Sequence, residues 1–366
     1  MIADPSNAVI GWDVGGAHLK ACLVASQNVV DVAQWPCTLW SGLDQLEQAL
    51  AAARARWPDV IGAADTRHAM TMTGEMVDLF PDRATGVREL SVRLAEALGP
   101  RLVLYTGVEP DPAAPHGGEP VPGPWVAPHD ASRAWRALAS ANWRATASWV
   151  ARRLPEALVV DIGSTTTDLI AVRDGAACAA GDDDAARLAD GSLVYQGVVR
   201  TPLCALAPRV PFNGQTVNVM NEFFATTADV YRLTQELEVE HDQQPTADGQ
   251  AKDMPATRQR LARMIGRDAA DADDAAWLTL AHGWRRIQSH EIAGQMQRVI
   301  EHHALSADAP VVSAGCGDFL AESLARALRR RVLRFAELVP GAADNPVVAR
   351  WAQVAAPAVA VALLAS

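Results

Sequence analysis

One short pattern occurs twice in this chain: an apolar run, an aspartate, a glycine turn and a second apolar run. It is seen in VIGWDVGGAHLKACLV, residues 9–24, and again in LVVDIGSTTTDLIAV, residues 158–172. The two aspartates, Asp13 and Asp161, lie about 148 residues apart. An apolar run that stops at a glycine is typical of a buried strand ending in a tight turn. The repetition therefore predicts an α/β chain of two halves, each opening with a strand–turn–strand unit.

The length of the chain supports this division. With 366 residues it is too long for one ordinary core and long enough for two domains. We place the boundary just before the second copy, near residue 155, with domains at 1–154 and 155–366. Helices are expected at 43–57, 86–98, 131–154, 216–240 and 272–304, and a strand, a glycine turn and a helix at 309–331.

Both turns have the composition of an anion-binding site. Glycines let the backbone approach a bulky anion closely, and consecutive N–H groups can bind its oxygens. Lys20 adds a point charge suited to phosphate. The predicted phosphate-binding residues are Gly15, Gly16, Ala17 and His18 in the first turn, and Gly163, Ser164, Thr165, Thr166 and Thr167 in the second. For either turn alone, a plain strand-ending turn is an equally good interpretation, as is a solvent-exposed turn position for His18.

The aspartate before each turn indicates a divalent cation. Mg²⁺ prefers few carboxylates and several waters, so Asp13 and Asp161 are candidate ligands. A third glycine turn, SAGCGDFL at 313–320, contains Gly315 and Gly317 and could contact a nucleotide or a substrate. Other phosphate motifs fit poorly, because the chain has no GxxxxGKS/T sequence and the third turn lacks the last glycine of a dinucleotide fingerprint.

Charge and cysteine content exclude several classes of protein. The net charge of −11 and the pI near 5.3 argue against a nucleic-acid binder, which needs a basic face. Five scattered cysteines without a CxxC pair indicate reduced thiols in a cytoplasmic protein and no thiolate zinc site. The N-terminus has no basic leader, so we expect no signal peptide. Assembly into a homo-oligomer is left open.

Three segments have unusual composition. The apolar tail at 348–366 is expected to be a buried terminal helix and not a membrane span, which needs ~20 strongly apolar residues. The tract 107–130 contains seven prolines and is expected to be a surface loop or an active-site flap. GDDDAAR, residues 181–187, lacks the ligand spacing of an EF-hand and is expected to be a solvated loop.

The order of the three turns resembles that of the actin/Hsp70/sugar-kinase ATPase superfamily. This resemblance implies two ribonuclease-H-like domains, each opening with a phosphate-binding hairpin, and a cleft between the domains. It assigns residues 13–20 to the first phosphate loop, 161–168 to the second, and 313–320 to a later turn that contacts adenosine when a nucleotide is bound. ATP is then a second expected ligand beside Mg²⁺.

A narrower resemblance is carried by four further stretches: MTGEMVDLFPDRATGV (72–87), ASANW (139–143), YQGVVRTPLCAL (195–206) and EFFATTADVYRLT (222–234). They resemble the hydantoinase/oxoprolinase-like proteins of the tetrahydromethanopterin-linked C1 pathway. The resemblance implies a transferase that forms an aryl-alkyl ether, in which a tyramine- or tyrosine-type phenol displaces diphosphate from an aminomethyl-furan-methyl diphosphate, as in methanofuran biosynthesis. The paired turns, Mg²⁺ and Lys20 would stabilise charge on the departing diphosphate.

Such chemistry needs a base for the phenol proton and side chains that bind the substrate. Glu75 and Asp78 follow a strand break at Gly74, so either is a candidate base, with a solvated loop pair as the alternative. Candidate substrate-binding residues are Asn142, Arg200 and Asp229. Arg200 could clamp a carboxylate or the diphosphate, or form a surface salt bridge. Asp229 could bind the substrate's amine or only cap a helix.

Two other functions are open on the sequence. The same phosphate-binding residues would serve an ATP-dependent small-molecule kinase or a hydantoinase-like ATPase. A nucleotide-sensing scaffold without catalysis is the second alternative. An ATPase releases ADP, the ether synthase leaves ATP untouched, and the scaffold does neither reaction, so two assays separate the three functions.

Overall fold

Two main β-sheets form the fold in the computed structural model, which describes residues 8–107, 123–179, 181 and 183–366. The predicted α/β class is therefore confirmed. The strands of the first sheet are β1 (Val9–Val14), β2 (His18–Ala25), β3 (Asn28–Pro36), β4 (Arg67–Met72), β5 (Leu102–Tyr105) and β6 (Trp125–Val126). The later strands are β7 (Ala157–Ile162), β8 (Thr167–Arg173), β9 (Ala176–Cys178), β10 (Leu193–Val194), β11 (Arg209–Phe212), β12 (Gln215–Asn218), β13 (Val311–Ala314) and β14 (Val332–Arg334).

The first sheet has the order β3-β2-β1-β4-β5-β6. β1, β2 and β3 are antiparallel neighbours, whereas β4 runs parallel to β1 and β5 runs parallel to β4. This is the ribonuclease-H-like arrangement. The second sheet has the order β10-β8-β7-β13-β14, with β9 also paired to β8. Its central strands repeat the pattern, because β13 is parallel to β7 and β10 is antiparallel to β8.

Helices connect and cover the strands. They are α1 (Asp44–Arg56), α2 (Pro58–Ile61), α3 (Arg83–Leu98), α4 (Ala131–Leu138), α5 (Asn142–Ala151), α6 (Asp184–Asp190), α7 (Leu203–Leu206), α8 (Thr227–Leu233), α9 (Met254–Arg263), α10 (Asp274–His302), α11 (Asp318–Ala327), α12 (Pro346–Val354) and α13 (Ala356–Ala365). The helices predicted at 43–57, 86–98 and 272–304 are confirmed as α1, α3 and α10. The strand, turn and helix at 309–331 are confirmed as β13 and α11.

Two of the helix predictions are wrong. The helix predicted at 131–154 is broken into α4 and α5, because Ser140 has φ +50°, a left-handed conformation that a right-handed helix cannot contain. The helix predicted at 216–240 is reduced to α8. The chain around the start of α8, residues 225–228, instead makes backbone hydrogen bonds with residues 199–203, including Thr227 N to Thr201 O at 2.9 Å. These tertiary bonds override the helical pattern.

The apolar C-terminal tail forms two helices and not one. α13 packs against β1, β2, β4 and α5, and nearly all of its residues are buried. Within the described ranges no single helix has the length and apolar character to cross a bilayer. α12 and α13 reach that length and composition only as a pair, and their axes differ by 102°.

The chain divides into two compact units. One comprises Met1–Ala157, Ile170–Arg187 and Leu333–Ser366, and the other comprises Leu158–Leu169 and Leu188–Val332. The predicted domains, 1–154 and 155–366, are continuous, whereas each unit combines separate stretches of chain. The tail returns to the first unit because α13 covers β1.

Candidate functional site

The first turn connects β1 to β2 and is closed by a hydrogen bond from Gly15 N to His18 O at 3.0 Å. Asp13 is only 3% exposed and faces Lys20 across the β1–β2 ladder. The Lys20 Nζ lies 3.8 Å from Asp13 Oδ2. Because a buried carboxylate is costly without a counter-charge, Lys20 compensates Asp13 within the first unit.

The outer residues of the first turn are held by the chain that follows β3. Gly16 O accepts a hydrogen bond from Leu39 N at 3.0 Å, and Ala17 O accepts one from Cys37 N at 2.9 Å. Ala17 and His18 are buried, so the solvent-exposed position considered for His18 is wrong. Gly15 and Gly16 are half-buried. Phosphate binding at this turn stays a prediction.

The second turn connects β7 to β8 and is closed by Gly163 N donating to Thr166 O at 2.8 Å. The N–H groups of residues 164–166 donate no hydrogen bond to any described residue. Ser164 Oγ and Thr165 Oγ1 lie 3.4 Å apart beside these N–H groups. Consecutive unpaired N–H groups in a turn form a concave site for an anion. The geometry therefore supports the anion-binding interpretation of this turn.

Thr167 differs from its neighbours in the second turn. It is fully buried, and its Oγ1 donates to Gln196 O at 2.7 Å. The hydroxyl therefore fixes the start of β8 to the following segment. The phosphate contact predicted for Thr167 is contradicted, because this hydroxyl is enclosed and its proton is already donated.

A segment that we call the second brace, residues 197–200, holds the second turn. The N–H groups of residues 198–200 donate to Gly163 O and Ser164 O at 2.8–3.1 Å. The Gly197 Cα lies so close that a Cβ there would be 2.4 Å from Ser164 C. Because the brace takes up the carbonyl oxygens of the turn, the turn's N–H groups are left for a ligand.

Arg200, at the end of the second brace, brings a positive charge to the second turn. Its Nη1 donates to Thr165 Oγ1 at 3.3 Å. The side chain is half-buried, and this burial lowers the pKa of the Arg200 guanidinium from its usual value. A partly desolvated guanidinium beside three free N–H groups is suited to a phosphate group. The two interpretations considered for Arg200, an anion clamp and a surface salt bridge, both stay predictions.

The third glycine turn lies against the end of β7. Gly317 N donates to Ile162 O at 2.8 Å. Gly315 has φ +86°, and a Cβ there would be 2.5 Å from Asp161 Oδ1. The turn thus packs directly against Asp161, which is half-buried and is the penultimate residue of β7. Contact of Gly315 or Gly317 with a nucleotide or substrate stays a prediction.

Glu75 lies in a short 3₁₀ turn, Gly74–Met76, immediately after β4. Its side chain is 1% exposed, and its Oε1 accepts hydrogen bonds from Ser140 N at 2.9 Å and from Ser140 Oγ at 3.1 Å. Its Oε2 is buried and has no hydrogen-bond partner among the described residues. Burial raises the pKa of Glu75 to about 7. This carboxyl therefore exchanges a proton near neutral pH.

Glu75 belongs to a group of four side chains that we call the Glu75 cluster: Glu75, Arg83, Ser140 and Asp184. Ser140 Oγ donates to Asp184 Oδ2 at 2.9 Å, and Arg83 Nη2 donates to the same oxygen at 2.5 Å. The prediction of a solvated loop at 181–187 is thus wrong for Asp184. Asp184 and Ser140 were not identified from the sequence, because their partners lie 44 to 101 residues away along the chain.

Asp229 is the clearest correction among the predicted binding residues. It is 1% exposed and forms a capping box with Thr226 at the start of α8. Its Oδ1 also accepts from Arg232 Nη1 at 2.8 Å and from Arg260 Nε at 2.7 Å. The structure therefore shows Asp229 as a helix cap and not as an amine ligand, because both of its carboxylate oxygens already accept hydrogen bonds within the fold.

The two remaining candidates lie near the Glu75 cluster in the sequence. Asp78 is exposed. Asn142 is the first residue of α5, is half-buried, and accepts a hydrogen bond from Trp143 N at 2.7 Å through its Oδ1. A substrate contact of Asn142 stays a prediction. Of the proline-rich tract 107–130, residues 108–122 lie outside the described residues, so neither interpretation of it is tested.

The chain is similar to known proteins in both sequence and structure. The model of the family described as hydantoinase/oxoprolinase matches residues 121–334, more than half of the chain. A protein of Methanocaldococcus jannaschii, (4-{4-[2-(gamma-L-glutamylamino)ethyl]phenoxymethyl}furan-2-yl)methanamine synthase, is 28% identical over 75% of this chain and 76% of its own. The protein of the same name from Methanococcus vannielii is 29% identical over 44% of this chain and 71% of its own.

Among solved structures, the nucleotide-free acetone carboxylase from a study of ATP-dependent acetone carboxylation aligns with a TM-score of 0.51. It is 10% identical over 86% of this chain and 66% of that chain. A ROK-family glucokinase from Streptomyces griseus, in complex with glucose and AMPPNP, covers 92% of this chain and 98% of its own with a TM-score of 0.41 and 13% identity. At such identities the acetone carboxylase match shows a shared fold only.

Proposed function

The chain belongs to the hydantoinase/oxoprolinase family, and from this premise we propose that it is a transferase that joins a phenol to a furan-methyl carbon and releases diphosphate. The two curated relatives are synthases whose named product carries a phenoxymethyl group on a furan ring. Such a group is an ether between a phenol oxygen and a furan-methyl carbon. An enzyme that forms this bond must stabilise the leaving group and accept the phenol proton.

The second turn is the observation that carries this proposal. The N–H groups of residues 164–166 have no acceptor among the described residues, and the Arg200 guanidinium lies beside Thr165. A diphosphate gains negative charge as it departs, and donors that are fixed in advance stabilise that charge at little reorganisation cost. In the proposed enzyme the diphosphate oxygens therefore bind to this turn and to Arg200.

The proposed reaction is a displacement at the furan-methyl carbon. The bond from that carbon to the diphosphate oxygen breaks, and its electron pair leaves with the diphosphate. The phenol oxygen forms the new bond to the carbon, and the phenol proton passes to a base. Because the electron-rich furan ring stabilises positive charge on the carbon, a good leaving group is the main requirement and no ATP is consumed.

Of the two predicted bases, Glu75 is the better supported. A general base is most effective when its pKa lies near the working pH, and burial raises the pKa of Glu75 to about 7. Its carboxyl is also held in one orientation by Ser140. Asp78 is exposed and has no comparable environment. We therefore propose that Glu75 is the base that accepts the phenol proton.

The carboxylates before the turns fit Mg²⁺ only if the substrate supplies most of the oxygen ligands. The described residues contain no group of three or more His, Cys, Asp or Glu side chains that could hold a metal ion. Mg²⁺ is commonly bound by one or two carboxylates together with phosphate oxygens and waters. Asp161, held in place by the Gly315 turn, is the proposed ligand, with Asp13 as the second candidate. When bound, the cation would offset charge on the leaving diphosphate.

The test is direct synthesis. Purified protein with Mg²⁺, aminomethyl-furan-methyl diphosphate and either tyrosine or γ-glutamyltyramine should release diphosphate and form the ether, which mass spectrometry detects. Parallel reactions contain ATP in place of the furan substrate. ADP release without ether formation would identify a kinase or an ATPase and overturn the proposal. If the protein carries out neither reaction, a nucleotide-sensing scaffold is the remaining function.

A further inference from the structure

The assigned base is enclosed, and one hydroxyl covers it. Glu75 is 1% exposed, whereas Ser140, which donates both its N–H and its Oγ–H toward Glu75 Oε1, is 7% exposed. Ser140 lies in the short connection between α4 and α5. Of this hydrogen-bonded pair, the serine is the more accessible, so a proton from outside reaches the carboxyl most directly through the serine hydroxyl.

We propose that the Ser140 hydroxyl relays the proton of the acceptor phenol to Glu75, a role that rests on the function proposed above. The phenol O–H proton moves to Ser140 Oγ while the Ser140 hydroxyl proton moves to Glu75 Oε1. The phenol oxygen, with its electron pair released, bonds to the furan-methyl carbon as diphosphate leaves. Ser140 thus ends the step as a neutral hydroxyl, and Glu75 ends it protonated.

The other members of the Glu75 cluster determine which carboxylate oxygen receives the Ser140 hydroxyl proton. Ser140 has a single hydroxyl proton and two carboxylate oxygens within reach, Glu75 Oε1 at 3.1 Å and Asp184 Oδ2 at 2.9 Å. Arg83 donates to Asp184 Oδ2 and so compensates its charge. When Glu75 is ionised, its oxygen can take the serine proton. When Glu75 is protonated, the serine proton turns to Asp184, so the hydroxyl has an acceptor in both states.

Backbone geometry indicates that Ser140 is held in place for a purpose beyond packing. A φ of +50° is unfavourable for a serine, and such conformations are concentrated at functional sites. The conformation breaks the helix between α4 and α5 and aims both the N–H and the hydroxyl of Ser140 at one carboxyl. A cap or a turn would need only one of these bonds.

Two variants separate the hydroxyl from the backbone. Ser140→Ala removes the hydroxyl and keeps the N–H bond to Glu75, and Ser140→Gly does the same with a residue that suits a positive φ. Both should lower kcat about 100-fold with little change in KM for the diphosphate substrate. Ser132→Ala, at an exposed serine on α4, is the control and should leave kcat unchanged.

Acceptors of different acidity distinguish a relay from a merely structural serine. With ring-fluorinated phenols of progressively lower pKa, the decrease in kcat caused by Ser140→Ala should become smaller, because the phenol proton is easier to remove. An equal loss for every phenol, or full activity in both Ser140 variants, would overturn the relay. If the wild-type protein makes no ether from any phenol, the proposed function itself is wrong.

A readout without substrate tests the coupling of the two side chains. The infrared band of the protonated Glu75 carboxyl should disappear near pH 7 as Glu75 ionises. The band is identified by its absence from the Glu75→Gln variant. The Ser140 hydroxyl lowers the pKa of this carboxyl that burial has raised, so Ser140→Ala should move the loss of the band to higher pH. A band that titrates identically in both proteins would contradict the relay.

Discussion

The first and second turns share one backbone pattern, yet the segments that hold them bring opposite charges. The first turn is held by what we call the first brace, residues 73–75. Thr73 N donates to Val14 O at 3.0 Å, and a Cβ on Gly74 would lie 3.1 Å from the same oxygen. The next residue is Glu75, a buried acid. The first brace therefore adds a proton-exchanging carboxyl to its turn.

The second brace, residues 197–200, contacts its turn more closely and ends in Arg200. A Cβ on Gly197 would lie 2.4–2.5 Å from three backbone atoms of Gly163 and Ser164. The second turn has three N–H groups without acceptors among the described residues, whereas the first turn is flanked by Asp13 on β1 and Lys20 on β2, which form an ion pair. The comparison teaches that the repeated motif fixes a backbone shape, whereas the segment that follows supplies the charged side chain. In the proposed mechanism this side chain is the anion-binding guanidinium at the second turn and the proton-accepting carboxyl at the first.

The largest difference between the two turns should appear when each brace glycine gains a methyl group. In Gly197→Ala the new Cβ meets main-chain atoms that cannot move aside, so the second turn must shift. We expect kcat/KM to fall about 100-fold, as small displacements of a substrate-binding group commonly cause. In Gly74→Ala the contacts are less close: the new Cβ would lie 2.9 Å from Leu39 Cδ2, and 3.1 and 3.3 Å from the carbonyl oxygens of Val14 and Gly15.

The matched variant Gly74→Ala should therefore lose less than about tenfold in kcat/KM. Steady-state kinetics measure both losses, and thermal unfolding reports whether each variant is folded. Equal losses in the two variants would show that the braces are equivalent and would break the comparison.

The next largest effect should be on diphosphate affinity. Removing the guanidinium in Arg200→Ala deletes a charged hydrogen bond donor, and such bonds are worth roughly 2 kcal/mol, or about 30-fold in affinity. Isothermal titration with inorganic diphosphate and Mg²⁺ measures the loss. Lys20→Met should weaken binding less, because Lys20 is already paired with Asp13. A larger loss in Lys20→Met would assign the anion to the first turn.

The acid of the first brace should control the pH profile. Burial raises the pKa of Glu75 to about 7, so kcat should rise with pH up to about 7 and level off above it. Glu75→Gln should lower kcat by about 100-fold and remove this limb. Initial rates between pH 5 and 9, in buffers of constant ionic strength, measure the limb. A profile that keeps the limb in Glu75→Gln would exclude Glu75 as its origin.

The same carboxyl has a predictable effect on folding. Because the pKa of Glu75 is higher in the folded than in the unfolded chain, the folded state binds the extra proton between about pH 4.5 and 7. The free energy of unfolding should therefore fall, by on the order of 3 kcal/mol, as pH rises through this window. Urea unfolding of the wild type and Glu75→Gln at several pH values checks the sign, since the variant lacks this contribution.

The local part of this arrangement could be predicted from the sequence. The strand–turn–strand units, the α/β class and the third glycine turn depend on apolar runs and glycines that are adjacent in the chain. Arg200 was proposed as an anion clamp because it lies in a distinctive stretch, and this role stays a prediction. The phosphate contact predicted for Thr167 was wrong because the residue was grouped with the three preceding hydroxyls, whereas Thr167 begins β8 and is buried there.

The Glu75 cluster could not be predicted in full, because tertiary contacts assemble it. Ser140 lies in a stretch with helical spacing, and only the folded chain shows that the helix breaks there. Asp184 lies in an acidic segment that looks solvated, and only Arg83, 101 residues earlier, explains its position. Asp229 was ambiguous between a cap and a ligand, and the choice depended on Arg260, which is far along the chain.

The smallest effect is expected at Asp78, a neighbour of Glu75 in the sequence. Asp78 follows the first brace by three residues, but its side chain is exposed, in contrast to the enclosed carboxyl of Glu75. An exposed carboxylate must shed bound water before it can accept a phenol proton, so Asp78 is the weaker candidate base. Asp78→Asn should therefore keep kcat within about twofold of the wild type and preserve the limb near pH 7. If Asp78→Asn instead removed that limb while Glu75→Gln kept it, the proton would belong to the exposed acid, and the first brace would serve only to shape its turn.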